Sequence, residues 1–244
     1  MRTITILKPF LSSKIIFLFL LSVSFQSCEK QAVKPEEKPD PIENEAQFNR
    51  LIRVSNYGEA LPEGSAPTSD QSAIYFNLES NIAINPDFKQ SNRWDISFSG
   101  IYRSFLNCNS EKTGGTGKGA ILLVKQKFED VIDIPDEKLF RKGEKPYGTD
   151  DSGDFGEGLG WYIYDFTGAI KGDGTEAKTH ICYPIPDRTL IIKTAKGNYA
   201  KIRILSIYKD LLNPKDWLKN SPKPYFTFEY VLVKAGSKTF EIKN

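Results

Sequence analysis

Over several short stretches of the chain, apolar and polar residues alternate with a period of two, the spacing that turns one face of a β-strand toward a core and the other away from it. Trp94, Ile96 and Phe98 alternate with Asp95, Ser97 and Ser99. Ala200, Ile202 and Ile204 alternate with Lys201 and Arg203, and Phe226, Phe228, Tyr230 and Leu232 share a face opposite Thr227 and Glu229. Ala120-Ile121-Leu122-Leu123-Val124 is apolar throughout, which predicts a strand buried on both faces, while Trp161-Tyr162-Ile163-Tyr164 is aromatic and β-favouring. Leu190 to Lys193 and Tyr199 to Ile202, separated by a turn containing Ala195-Lys196-Gly197-Asn198, predict a hairpin. One short helix is expected after Asn213, which can cap it; Pro214 suits its first position, Asp216 its first turn, and Trp217 and Leu218 would pack it on the sheet. No repeat of fixed period and no second domain boundary interrupts the pattern, so residues 46–244 read as one all-β domain with a single short helix.

The segment before that domain has a different character. Arg2, Lys8 and Lys14 precede or begin the apolar run Ile15 to Leu21, and small and polar residues follow to Ser27, so residues 1–27 read as a secretory signal peptide. The apolar run is short for a membrane span. Phe25-Gln26-Ser27-Cys28 resembles a bacterial lipobox, cut before a cysteine that carries the acyl chains, which makes Cys28 the expected lipid anchor and membrane attachment. An ordinary cleaved signal with an incidental Cys28 is the alternative. Residues 28–45 have three prolines and no apolar periodicity, and read as a disordered, solvated tether.

Charge and composition narrow the chemistry. The chain carries 33 Lys+Arg against 31 Asp+Glu, and loss of Arg2, Lys8 and Lys14 with the leader leaves 30 against 31, so nothing argues for a nucleic-acid partner. His180 is the single histidine, which excludes clustered-histidine metal sites. With no Cys-x-x-Cys pair among three cysteines, zinc-finger and thioredoxin-type motifs are absent. Asn107 to Gly119 is glycine-rich, but Lys112 and Gly119 stand where a phosphate loop needs Gly and Ser or Thr, so it is expected to be a loose surface loop. Asp150, Asp151, Asp154 and Glu157 could hold a hard cation or form a solvated loop; the EF-hand frame fails because Phe155 occupies the glycine position. Cys108 and Cys182 could join in a disulfide or remain free buried thiols. His180, in Thr179-His180-Ile181-Cys182-Tyr183, could take an axial position on haem iron, form a mixed site with Cys182 or a tyrosine, or be an ordinary hydrogen-bonded residue. There is no Gly-x-Ser-x-Gly elbow, His180 is the one histidine base available to a nucleophile, and no enzyme is expected.

Several blocks taken in order carry a family resemblance. Trp94-Asp95-Ile96-Ser97-Phe98, Asn107-Cys108 with Gly117-Lys118-Gly119-Ala120, and Phe128-Glu129-Asp130-Val131 with Pro135 resemble the HmuY family. Gly160-Trp161, Thr189 to Ile192, Gly197 to Ile202 and Tyr225 to Tyr230 continue the resemblance in the same order, from about Ala73 to Tyr230. It implies an all-β, surface-exposed outer-membrane lipoprotein that binds haem or a related porphyrin and passes it to a TonB-dependent receptor. The family's known members hold haem iron with two histidines or, in related branches, methionines. Here one His remains, no Met survives removal of the leader, and the place of one family ligand falls near Phe166-Thr167-Gly168. What the resemblance leaves is an apolar porphyrin cleft with Trp161, Tyr162, Tyr164 and Phe166 as wall residues or tyrosine ligands, and His180 as a metal ligand that inherits no role from the motif. Core packing is the other reading of those aromatics. The alternative function is a retained scaffold that has lost haem ligation and serves as an interaction module for another ligand or partner.

Overall fold

The computed structural model describes residues 48–61, 69–153 and 156–243; the expected leader, Cys28 and tether lie outside the described residues. In chain order the strands are β1 Leu51–Gly58, β2 Ile74–Asn77, β3 Ile82–Ile84, β4 Ile96–Ser99, β5 Phe105–Cys108, β6 Ala120–Val124 and β7 Ser152–Gly153. They continue with β8 Gly156–Glu157, β9 Tyr162–Asp165, β10 Ile181–Pro184, β11 Thr189–Lys193, β12 Tyr199–Ser206 and β13 Tyr225–Val233. The fold is all-β, as the alternation predicts, and every helical element among the described residues is a single 3-10 turn. None of its helices is long and apolar enough to cross a membrane, among the described residues.

An antiparallel five-stranded sheet, β1-β13-β12-β11-β6, forms the centre, and a four-stranded sheet, β3-β2-β4-β5, packs on one side of it. The register explains the packing. Ile52, Tyr230, Ile202, Leu190 and Leu123 stand opposite one another across all five strands and are all buried on the inner face. There they meet the inward residues of the second sheet: Phe98 stacks on Phe226 at 4.1 Å between ring centroids, and Phe76 meets Phe228 edge-on at 5.5 Å. Each such ring contributes on the order of 2–3 kcal/mol by leaving water.

The outer face is also buried, and this departs from the sequence reading. Ile191, Tyr199, Val231 and Val233 are covered by Phe128, Val131 and Phe240, which come from segments outside the sheet. Polar residues trapped there are fully partnered. Glu229 stands opposite both Arg53 and Arg203, its two oxygens accept from one arginine each at 2.5–2.8 Å, and Arg203 reaches on to Glu129. Lys201 donates to the carbonyls of Phe128 and Val131 at 2.7 and 2.8 Å while its ammonium lies 4.5 Å from the Phe128 ring centroid. Residues placed opposite the core by their alternation are therefore inside a second layer.

Two buried carboxylates join the sheets. Asp95 accepts from the backbone N–H of Ala195 at 2.8 Å and of Leu78 at 2.7 Å, and Glu79 accepts from Thr194 Oγ1 and Asn198 Nδ2 at 2.7 and 2.8 Å. Both grip the turn of the β11–β12 hairpin, which forms as predicted.

Two further expectations change. The helix after Asn213 is only a 3-10 turn, Pro214–Asp216; Asn213 does cap it and Trp217 is buried, but Leu218 is exposed, because a single turn presents too little face to pack both. The glycine-rich segment is not loose: fully buried Asn109 donates to the carbonyls of Ser91 and Trp94 and accepts from Gly117 N–H at 2.9 Å. A Cβ on Gly115 would lie 2.0 Å from Asn109 Oδ1, so that loop wraps a side chain that tolerates only glycine there. Cys108 and Cys182, for which the sequence leaves disulfide and free thiol both open, stand on strands of different sheets, are buried in the same hydrophobic core and are both free thiols.

Burial, with Glu79 nearby, pushes the Asp95 carboxyl up to about 7, against about 3.9 in an unfolded chain. Folding then takes up a proton, and the stability this group contributes is greatest below pH ~4 and is lost as pH rises to about 7. Denaturant midpoints of the wild-type chain and Asp95→Asn, measured from pH 4 to 8, should show the wild type losing stability relative to the variant across that window. A difference that stays constant or grows with pH contradicts this.

Candidate functional site

β9 and β10 form a two-stranded ribbon, Tyr164 opposite Cys182 and Tyr162 opposite Pro184, and Tyr162 is bridged in parallel to Thr149. The loop joining them, residues 166–180, is held by the last residue of β9. Asp165 is buried, and its Oδ2 accepts from the backbone N–H groups of Ile170, Lys171 and Gly172 at 2.8–3.2 Å. Burial raises this carboxyl, but the backbone donors outweigh it and hold it below the usual carboxylate range. Gly168, at φ +74°, lets the loop pass against Lys178, whose carbonyl carbon would lie 2.9 Å from any added Cβ. From the far side, Lys178 Nζ donates to the carbonyls of Lys215 and Trp217 at 2.6 and 2.8 Å, and Lys219 N–H donates to Ala177 O at 2.8 Å.

This fastening sets the position of His180, which ends the loop in the left-handed region at φ 60°. Its Nδ1 lies 2.7 Å from Tyr164 Oη, and the Tyr164 ring lies 6.0 Å between centroids from that of Tyr102, itself left-handed at φ 53°. Non-glycine residues in that region are uncommon and are held there by their surroundings. Phe166 stands edge-on to the imidazole at 4.8 Å and is 61% exposed. Burial, then the Tyr102 hydroxyl, pushes the Tyr164 phenol well above its usual range, so it is a neutral phenol. Lys223 Nζ sits 5.7 Å from the Tyr102 ring and 5.6 Å from the Tyr208 ring, and burial lowers its pKa.

The sequence-predicted residues divide accordingly. Tyr164, Phe166 and His180 come together. Trp161 and Tyr162 do not line a cleft: each is 2% exposed, the indole N–H donates to Ser104 O at 2.8 Å, and the Tyr162 hydroxyl bonds Ser104 Oγ at 2.6 Å. Both are core residues, placed inside by the turn into β9 and by its first position. Cys182 forms no mixed site with His180; its side chain is buried in the core and burial pushes the thiol up to about 12. Of the acidic cluster, Asp150 pairs with Arg188 and Glu157 with Arg141 and Lys145, Asp151 is exposed, and Asp154 lies outside the described residues. No group of three or more metal-ligating side chains occurs among the described residues. Two surface depressions, of about 320 and 550 Å³, are lined by other segments, around Phe128 and Ile132 and around Tyr75 and Asp87.

The HmuY protein family matches residues 69–230, from before β2 to within β13. The chain belongs to the HmuY family. That is a haem-binding family, and the fold agrees with the one its sequence blocks imply. Solved structures similar to this HmuY-family chain include a candidate lipoprotein of Bacteroides fragilis, 17% identical with a TM-score of 0.39 over 77% of this chain and 91% of that one. Apo PinO from Porphyromonas gingivitis is 13% identical, TM-score 0.40, over 77% and 99%; a candidate HmuY-like heme-binding protein of Bacteroides vulgatus is 12% identical, TM-score 0.33, over 80% and 97%. No curated protein matches. The donor set departs from the family's two-histidine pattern, since Thr167, near the expected ligand position, is exposed and offers no metal-binding nitrogen or sulfur. It does fit one axial ligand, an imidazole with one nitrogen bonded and an exposed aromatic ring beside it.

Sequence reasoning missed Asp165, Tyr102 and Lys223. A carboxylate ending a strand just before a glycine-bearing loop is the one available signal, and it points to Asp165. Replacing it with Ala should speed amide hydrogen exchange at Ile170, Lys171 and Gly172 and cost roughly 1–3 kcal/mol, with β9–β10 pairing retained. Unchanged exchange at those three amides contradicts its role as the loop's anchor.

Proposed function

We propose that this HmuY-family protein is a binding protein, not an enzyme, that captures haem or a related porphyrin at the cell surface and hands it to a TonB-dependent outer-membrane receptor. The observation that carries the reading is the family match over residues 69–230 together with the grouping of His180, Tyr164 and exposed Phe166 on one fastened loop. A porphyrin is flat and apolar at its centre, and an exposed phenyl ring beside an imidazole offers it a stacking surface and an iron ligand in one place. The expected leader and Cys28 support attachment to the outer membrane by lipid, and residues 28–45 would hold the β-domain off the bilayer. A cargo that must leave for a receptor is better served by a modest, accessible grip than by a closed cavity, since transfer requires release.

One observation favours the second reading, an interaction module that keeps the scaffold without haem. The sequence after the leader has a single His and no Met, so the family's two-ligand grip is out of reach.

Titrating the purified chain with ferric haem and, separately, with iron-free protoporphyrin decides between them. The haem reading expects a saturable, red-shifted Soret band complete at one equivalent. A featureless titration with both compounds moves the function to the interaction module. The anchor has its own test: Cys28→Ala should lose acyl labelling and membrane retention, and unchanged membrane fractionation would remove the lipid from the account.

A further inference from the structure

The hydrogen bond at Nδ1 decides more than the placing of the His180 ring. Tyr164 Oη meets Nδ1 at 2.7 Å, while Nε2 has no hydrogen bond among the described residues. A phenol oxygen accepts as well as donates, so Tyr164 Oη is able to accept from an Nδ1–H. In that tautomer the lone pair lies on Nε2, the nitrogen left unengaged. A metal-binding histidine is commonly fixed in this way, its other N–H given to an oxygen that sets ring orientation and raises the basicity of the coordinating nitrogen. The residues on either side of Tyr164 are held in left-handed backbone, Tyr102 at φ 53° and His180 at φ 60°, and Phe166 braces the imidazole edge-on.

We infer that His180 binds ferric haem iron through Nε2 as its single protein ligand, with Tyr164 as a positioning residue that holds the imidazole by Nδ1. The inference rests on the haem reading above and adds the coordination. A neutral imidazole binds iron by donating a lone pair, with no proton to displace, whereas the Tyr164 phenol would have to lose one. No second histidine and no methionine occur in the chain after the leader, so the iron's opposite face is left to water or an external ligand. Such iron is five-coordinate or weakly water-bound, and it differs from the bis-histidine arrangement of the family in being open to exchange from one side.

The test compares the wild-type chain with His180→Ala, His180→Gln and Tyr164→Phe. Ferric haem and iron-free protoporphyrin serve as the two ligands, with electron paramagnetic resonance of the ferric complex and resonance Raman of the reduced one. The wild type should give a high-spin ferric signal and bind added cyanide as a sixth ligand. Both His180 variants should bind ferric haem at least about tenfold more weakly and iron-free protoporphyrin within about twofold of the wild type; His180→Gln keeps a polar side chain at the loop end should His180→Ala disturb folding. Tyr164→Phe should keep iron-dependent binding, weakened by up to about tenfold, and lower the iron–histidine stretching frequency because Nδ1 has lost its acceptor.

A low-spin, six-coordinate wild-type complex overturns the inference, as does loss of both porphyrins equally in the His180 variants. Iron-dependent binding that survives in His180→Ala but vanishes in Tyr164→Phe also overturns it, and assigns the iron to the phenol oxygen. These outcomes leave porphyrin capture standing. Failure of the wild type to bind either compound removes the haem reading and this inference together.

Discussion

β13 has no side that faces water, and most of the structure follows from that. A strand buried on one face needs one layer of partners; Tyr225–Val233 needs two, so the chain must supply a second sheet for Phe226, Phe228 and Tyr230 and a second cover for Val231 and Val233. The first demand is met by β2, β4 and β5, and the second by the segment around Phe128 and by Phe240. Any polar residue on either face then has to carry its partner with it, because a buried charge without one is costly. Hence Glu229 lies between Arg53 and Arg203 at one register, and Lys201 ends on two backbone carbonyls. The same requirement brings Asp95 and Glu79 onto the hairpin turn, where backbone N–H groups hold Asp95, two short polar side chains hold Glu79 Oε1, and Glu79 Oε2 faces the Lys196 ammonium at 3.5 Å.

A centre closed on both faces leaves function to what lies beside it. The β9–β10 ribbon is a two-stranded sheet secured by the buried Trp161, Tyr162 and Cys182, while its loop carries the half-buried imidazole of His180 and the exposed ring of Phe166. Asp165 and the Lys178 and Lys219 bonds keep that loop from being a free excursion. The result is an imidazole fixed on a fastened loop, an arrangement that would lower the ordering cost of the proposed ligand.

The strands were readable wherever one row of side chains faces the core, as in Trp94 to Ser99 and Tyr225 to Leu232, since a period of two is imposed by the sheet itself. The reading failed where tertiary cover replaced water: Glu229 and Lys201 look like outward residues, and only Phe128, Val131 and Phe240, distant in the chain, make them inward. For Trp161 and Tyr162 the sequence left cleft wall and core packing both open, because an aromatic run does not announce which of its residues the fold covers. The glycine-rich loop was misjudged because its order comes from a single side chain, Asn109, at its start. At the candidate site the ligand-type residues were legible from their chemistry, whereas Tyr102 and Lys223 reach it from segments that only the fold brings together.

The account turns on where haem sits. A crystal structure of the ferric haem complex tests it most directly. Iron bonded to His180 Nε2, with Tyr164 Oη still on Nδ1 and Phe166 against the porphyrin, is the predicted result. Haem seated in the depression beside Phe128 and Ile132, or against Tyr75, with the His180 loop unengaged, would contradict it.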